Sequence, residues 1–143
     1  MQLLLAVGID ANGNNIILAW ALVESENQAS WEYFFRLLRI AIPAISERQC
    51  VLISDRDKGI LKADGELGPR IVRAICCKHL QENFTGKYGL GLKALFWSLA
   101  RAKTQHVFDK MLDEIQAVKP DAAAYLRATV RLHLHLTSTS VRS

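Results

Sequence analysis

Residues 50–57, Cys50-Val51-Leu52-Ile53-Ser54-Asp55-Arg56-Asp57, decide the fold. Four apolar residues in succession predict a compact buried strand, and the polar Ser-Asp-Arg-Asp stretch ends it. Residues 58–67 then have the composition of a short helix, although Gly59 and Gly65 weaken it. A buried strand that runs through a carboxylate-bearing turn into a helix is an α/β signature. Open α/β folds place ligands and metals in the crevice at such strand ends.

Working upstream, Ser30 is the expected N-cap of a helix with Glu32 in its first turn. Trp31, Phe34, Phe35, Leu38 and Ile42 recur at helical spacing and predict an aromatic stripe laid on a sheet, with Tyr33 beside it. Pro43 marks a stop or kink near the helix end. Before it, residues 3–9 (LLLAVGI) and 16–23 (IILAWALV) flank DANGNN, where Asn12-Gly13 signals a hairpin because both residues accept positive φ. Apolar runs without alternation predict that both hairpin faces are covered. Downstream, residues 72–77 read as another strand.

After His79 the period becomes helical. A helix opens at residues 79–84, and the glycines at 86, 89 and 91 mark a break. Leu92, Leu95, Phe96, Leu99 and Ala102 form an amphipathic stripe. Thr104 caps a helix carrying Val107, Phe108, Met111, Leu112 and Ile115, and Pro120 opens a third. Residues 129–143 (TVRLHLHLTSTSVRS) read as a frayed strand or a divergent tail, with His133 and His135 sharing one strand face. No repeat or linker divides the chain.

Half of the 143 residues are hydrophobic and 22% are charged, which excludes a disordered or collagen-like chain. A chain of this length buries a real core without disulfides. Eighteen Lys and Arg against 14 Asp and Glu leave a net charge of +4, compatible with nucleic acid but not diagnostic of it. Three cysteines, two of them adjacent, suit a reducing compartment better than a disulfide framework. The N-terminal apolar run lacks a basic region and a cleavage site, and no stretch approaches a membrane span. An intracellular, non-secreted protein without a membrane partner is expected.

Two clusters are candidates for chemistry. Asp55 is placed to bind a divalent cation or, more ordinarily, to cap the Lys58 helix or pair with Arg56; Asp57 and Asp10 default to turn or capping carboxylates. Cys76 and His79 offer a C-x2-H pair, two soft ligands where closed zinc sites need four, or a cysteine–histidine catalytic pair. Buried structural cysteines are the alternative. Lys87, Lys93, Arg101 and Lys103 suit phosphate contacts or a solvated helix face.

Taken in order, GIDANGNN, ILAWALVESENQASWEYFF, VLISDRDKGILKA, CCKHLQENF and LKALFWSLARAKT resemble the transposase domain of Mutator-like elements. The likeness spans most of residues 1–128, and residues 129–143 stand apart from it. The VESEN-x-x-SW, SDR-x-KG and C-x2-H-L-x-x-N-F segments are its most specific parts. The resemblance implies an α/β, RNase H-like mixed sheet with flanking helices and a C-terminal helical insertion. It also implies an Asp-Asp-Glu triad holding two Mg²⁺ or Mn²⁺ ions that cleave and join DNA. Asp55 matches the second acidic residue, as catalytic and metal-binding carboxylate, and Cys76 and His79 match the C-x2-H motif. DNA at transposon ends is the implied partner, with self-association a further expectation and no small-molecule substrate; the implied location is the nucleus.

The same resemblance puts the first Asp on a central strand upstream of the segment matching residues 3–9, before Met1. Arg142 stands where the Glu would fall. The expectation is therefore a transposase catalytic-domain fragment lacking the first central strand, inactive by itself. The alternative is a domesticated, non-catalytic module that binds DNA or protein.

Overall fold

The computed structural model describes the backbone of residues 1–138 and the side chains of residues 1–129. It is a mixed α/β chain that divides into two compact units, residues 1–72 and 73–143.

The first unit begins with a hairpin of strands β1 (Gln2–Ile9) and β2 (Asn15–Val23). The pair is antiparallel, with a bulge between Ala6 and Val7 that leaves Leu18 unmatched. The hairpin that Asn-Gly signals is present; within its loop Gly13 takes the positive φ (84°) and Asn12 does not. The loop is organised by Asp10. Its Oδ1 accepts from the N–H groups of Asn12 and Asn14, both at 2.8 Å, and its Oδ2 accepts from the Asn14 side-chain amide. The Asn14 backbone N–H, then its side-chain amide, hold the Asp10 carboxyl below the usual carboxylate range.

Helix α1 (Gln28–Ala41) starts before the sequence predicts. Asn27, not Ser30, is the N-cap: its side-chain oxygen accepts from the Ser30 N–H at 3.0 Å. Asn caps as well as Ser, and here it lies where the chain leaves extended geometry. Ser30 instead donates its hydroxyl to the Ser25 carbonyl, and Glu26 accepts from the Trp31 indole N–H at 3.2 Å. These bonds give the SEN-x-x-SW segment a structural purpose: it fixes the start of α1.

Trp31, Phe34, Phe35 and Leu38 are buried together with Leu4 of β1, as the helical spacing predicts. Tyr33, on the other side of the helix, is exposed. The helix ends at Ala41, before Pro43, and a single turn, α2 (Ala44–Glu47), follows. Strand β3 (Cys50–Ser54) leads through residues 55–57 into helix α3 (Lys58–Ala63) and a 3-10 turn (Asp64–Leu67).

The hairpin departs from expectation on its outer face. Leu4, Ala6, Ala19, Ala21 and Val23 belong to or pack on the core, whereas Leu3, Leu5, Val7, Trp20 and Leu22 are exposed. The apolar run therefore alternates in the folded chain, because α1 covers one face and the other meets solvent. β3 behaves alike, with Val51 and Ile53 exposed.

Strand β4 (Ile71–Ile75) pairs with β3 in a second two-stranded sheet and carries the chain into the second unit. It stops at Ile75, so Cys76 and Cys77 leave the strand and begin helix α4 (Cys77–Tyr88). Gly86 lies inside this helix; the break falls at Gly89, whose φ of +111° an L side chain rarely adopts. Helices α5 (Lys93–Ala100), α6 (Gln105–Val118) and α7 (Pro120–Ser138) complete the described residues. Thr104 caps α6 by accepting from the Val107 N–H at 3.2 Å. Phe84, Phe96, Ile115 and Leu126 form the buried centre of this unit, while Val107 is exposed.

Because α7 runs to Ser138, the strand reading of residues 129–138, with His133 and His135 on one face, is corrected to helix. The leucine-rich stretch propagates a helix already nucleated at Pro120, which costs less than starting a new strand. Residues 139–143, Arg142 among them, lie outside the described residues.

Candidate functional site

The loop after β3 positions the leading candidate. Asp55 is half-buried, and its Oδ1 accepts from the Asp57 N–H at 3.1 Å, an Asx-type turn across residues 55–57. The Ser54 hydroxyl donates to the Asp55 carbonyl at 2.8 Å. Asp57, rather than Asp55, caps α3: its Oδ1 accepts from Gly59 N–H at 2.7 Å and Ile60 N–H at 3.3 Å. One carboxylate is thus committed to the helix start, and the other braces the turn.

Gly59 has a steric reason to follow them. A Cβ there would stand 2.9 Å from the Asp57 carboxylate and 3.1 Å from the backbone of Asn27 and Gln28. The start of α3 is therefore pressed against the start of α1. The SDR-x-KG segment joins a carboxylate turn, a helix cap and a close helix approach in six residues.

Asp10 lies in the hairpin loop, where its oxygens serve the loop amides. It is the turn carboxylate that the sequence predicts, as Asp57 is the predicted cap. In the second unit, Cys76 is half-buried at the N-cap of α4 without a side-chain capping bond, and Cys77 and His79 are exposed on its first turn. All three cysteines are free thiols. Leu80 and Phe84, three and seven residues beyond Cys77, turn inward to the core, so the C-x2-H-L-x-x-N-F segment is amphipathic about α4. The Lys87 ammonium lies over the Tyr88 and Tyr125 rings and the Arg101 guanidinium over Trp97, so both cover aromatic surface.

A two-metal centre needs several oxygen ligands converging on each cation. The donor set around Asp55 does not fit one. A single half-buried carboxylate has one oxygen engaged by an amide, and its neighbour Asp57 is spent on a helix cap. Among the described residues, no three His, Cys, Asp or Glu side chains come together in a metal-holding group. No helix among them is long and apolar enough to cross a membrane.

In the first unit an apolar cavity of about 520 Å³ is bordered by β1, β3 and α1.

A family model described as the MULE transposase domain matches residues 1–83, more than half of the chain. Neither the curated proteins nor the solved structures contain a match to it.

Proposed function

The chain belongs to the MULE transposase domain family, and we propose that it carries the Asp55 segment of an RNase H-like transposase catalytic site without being a DNA-cleaving enzyme by itself. The family's chemistry requires paired divalent cations, Mg²⁺ or Mn²⁺, to activate one phosphodiester oxygen and neutralise another. The observation that carries the reading is the donor set at Asp55, one carboxylate with an oxygen already bound by the Asp57 N–H. Such a set supports neither cation, and no catalytic step is assigned to these residues alone. In this reading Asp55 is a ligand awaiting partners, and Cys76 and His79 mark the motif that follows it on α4. DNA at transposon ends is the partner, and the nucleus is the place of action.

Incubating the purified chain with terminal-repeat DNA and Mg²⁺ or Mn²⁺ tests this. The expected result is no cleavage above the metal-only control, with Asp55→Ala indistinguishable from the parent. Metal-dependent cleavage that disappears in Asp55→Ala would overturn it.

The second reading is a non-catalytic binding module of transposase origin. It is favoured by the exposed apolar face of the hairpin, formed by Leu3, Leu5, Val7, Trp20 and Leu22, which is unusual on a protein that acts alone. Protein binding fits that face better than DNA binding. A mobility shift with steep salt dependence would instead favour DNA.

A further inference from the structure

We propose that the outer face of the β1–β2 hairpin is a homodimer interface: two copies of this chain pack these faces together, sheet on sheet, about a two-fold axis. The inference names the partner for the binding-module reading and rests on that reading's apolar face, independent of Asp55.

The pairing of the hairpin builds the face. Side chains alternate along a strand, so the residues that flank buried Leu4 and core-packed Ala6 point outward. The register sets them in three cross-strand pairs, Leu3–Leu22, Leu5–Trp20 and Val7–Ile17. The bulge after Ala6 leaves Leu18 out of the register and brings Ile17 opposite Val7, so the row of apolar pairs is unbroken. All six residues are between 44% and 68% exposed.

Area and charge select the partner. Those exposures amount to roughly 700 Å² per chain, above the roughly 300–600 Å² of the largest apolar patch on an ordinary monomer. Two such faces together bury about 1,400 Å², inside the range of about 1,200–2,000 Å² for stable complexes. Neither strand contains a charged residue, which suits the core of a homodimer interface. The side-chain charges that flank the strands, Asp10, Glu24 and Glu26, are all acidic, so neither nucleic acid nor an anionic bilayer is attracted. A second copy supplies a face of the same area and the same lack of charge. A two-fold contact uses one patch on each copy and then closes. Leu5–Trp20 is the middle pair, so an axis near it sets the largest exposed ring of each copy at the interface centre, where binding energy concentrates. Aligned sheets pack face to face in this manner in β-sandwiches.

Sedimentation equilibrium of the full chain tests the proposal, together with fluorine NMR of protein carrying 5-fluorotryptophan. The expected result is a monomer–dimer equilibrium that stops at two copies and is unchanged or tightened in about 0.5 M NaCl. Dilution should move the Trp20 resonance, assigned through Trp20→Phe, and leave those of Trp31 and Trp97 in place. Trp20→Lys should weaken the dimer at least about thirtyfold. Ile40→Lys, at an equally exposed apolar position on α1, should leave it unchanged. The resonance test uses the parent protein, so misfolding of Trp20→Lys does not shelter the proposal. Growth beyond two copies, loss of the dimer in salt, or a dimer whose Trp20 resonance does not respond would each overturn it. A monomer throughout would also overturn it, and a monomer that shifts DNA with steep salt dependence would remove the protein-binding reading of the face as well.

Discussion

Phe84 and Phe35 occupy comparable places in the two units but very different surroundings. Phe84, fully buried, has the Tyr88, Phe96 and Tyr125 rings at centroid distances of 5.4, 5.4 and 6.4 Å, within a core built from helices α4 to α7. Phe35 is nearly as buried and has Trp31 at 5.3 Å and Phe34 at 6.2 Å, but it also lines the apolar cavity bordered by β1 and β3. The difference follows from the elements. A helix satisfies its backbone internally, so a bundle closes once its apolar stripes meet. A strand satisfies half of its backbone on each side and stays open until both neighbours arrive.

The largest effect that sharpens this contrast is expected from Phe84→Ala. Its closed site cannot collapse, and the loss should be about 3–5 kcal/mol of the second unit's stability. Phe35→Ala should fall at or below the low end of that range, because one side of the ring already faces a cavity. Denaturant unfolding followed by amide exchange in each unit separates the two. Equal losses would break the contrast.

Gly59→Ala is next. The added methyl meets the cap carboxylate and the backbone of Asn27 and Gln28, so overpacking of about 1–3 kcal/mol is expected in the first unit. The second unit's transition should be unchanged. Asn27→Ala should cost about 1 kcal/mol through loss of the α1 cap, with Asn27→Ser restoring most of it. Thermal unfolding of the three proteins checks that order.

The smallest effect is electrostatic. The folded-state pKa of Asp10 is depressed, first by the Asn14 backbone N–H and then by its side-chain amide. Its contribution is therefore complete above the unfolded pKa and lost as pH falls through the folded value. An acid titration of the hairpin-loop amides should show loosening at that low pH, and Asp10→Ala should abolish the step.

Much of this was legible in the sequence because period and turn chemistry are local. The stripe of Trp31, Phe34, Phe35 and Leu38, the Thr104 cap and the Pro120 start all follow from residues within a turn of one another. The order of hairpin, helix and strand leading to Asp55, and of helix and strand after it, was legible for the same reason. Ser30 misled because Asn27, three residues before it, caps equally well; the choice is made by where the chain turns. The runs LLLAVGI and IILAWALV misled more deeply. An apolar run reports what a strand is suited to touch, and α1 covers only one of its faces. The turn role of Asp55 and the cap role of Asp57 were separable only in three dimensions, since both carboxylates precede the same helix. Residues 129–138 alternate like a strand, yet they continue a helix begun nine residues earlier.

Among the described residues β1 pairs with β2 alone and β3 with β4 alone, so each has an open edge, and amide exchange of the chain by itself tests those edges. Alternate amides in residues 5–9 and 50–54 should exchange rapidly, while those around Phe84 in α4 and Ile115 in α6 remain protected. Uniformly slow exchange along both strands, matching that of the helices, would contradict open edges.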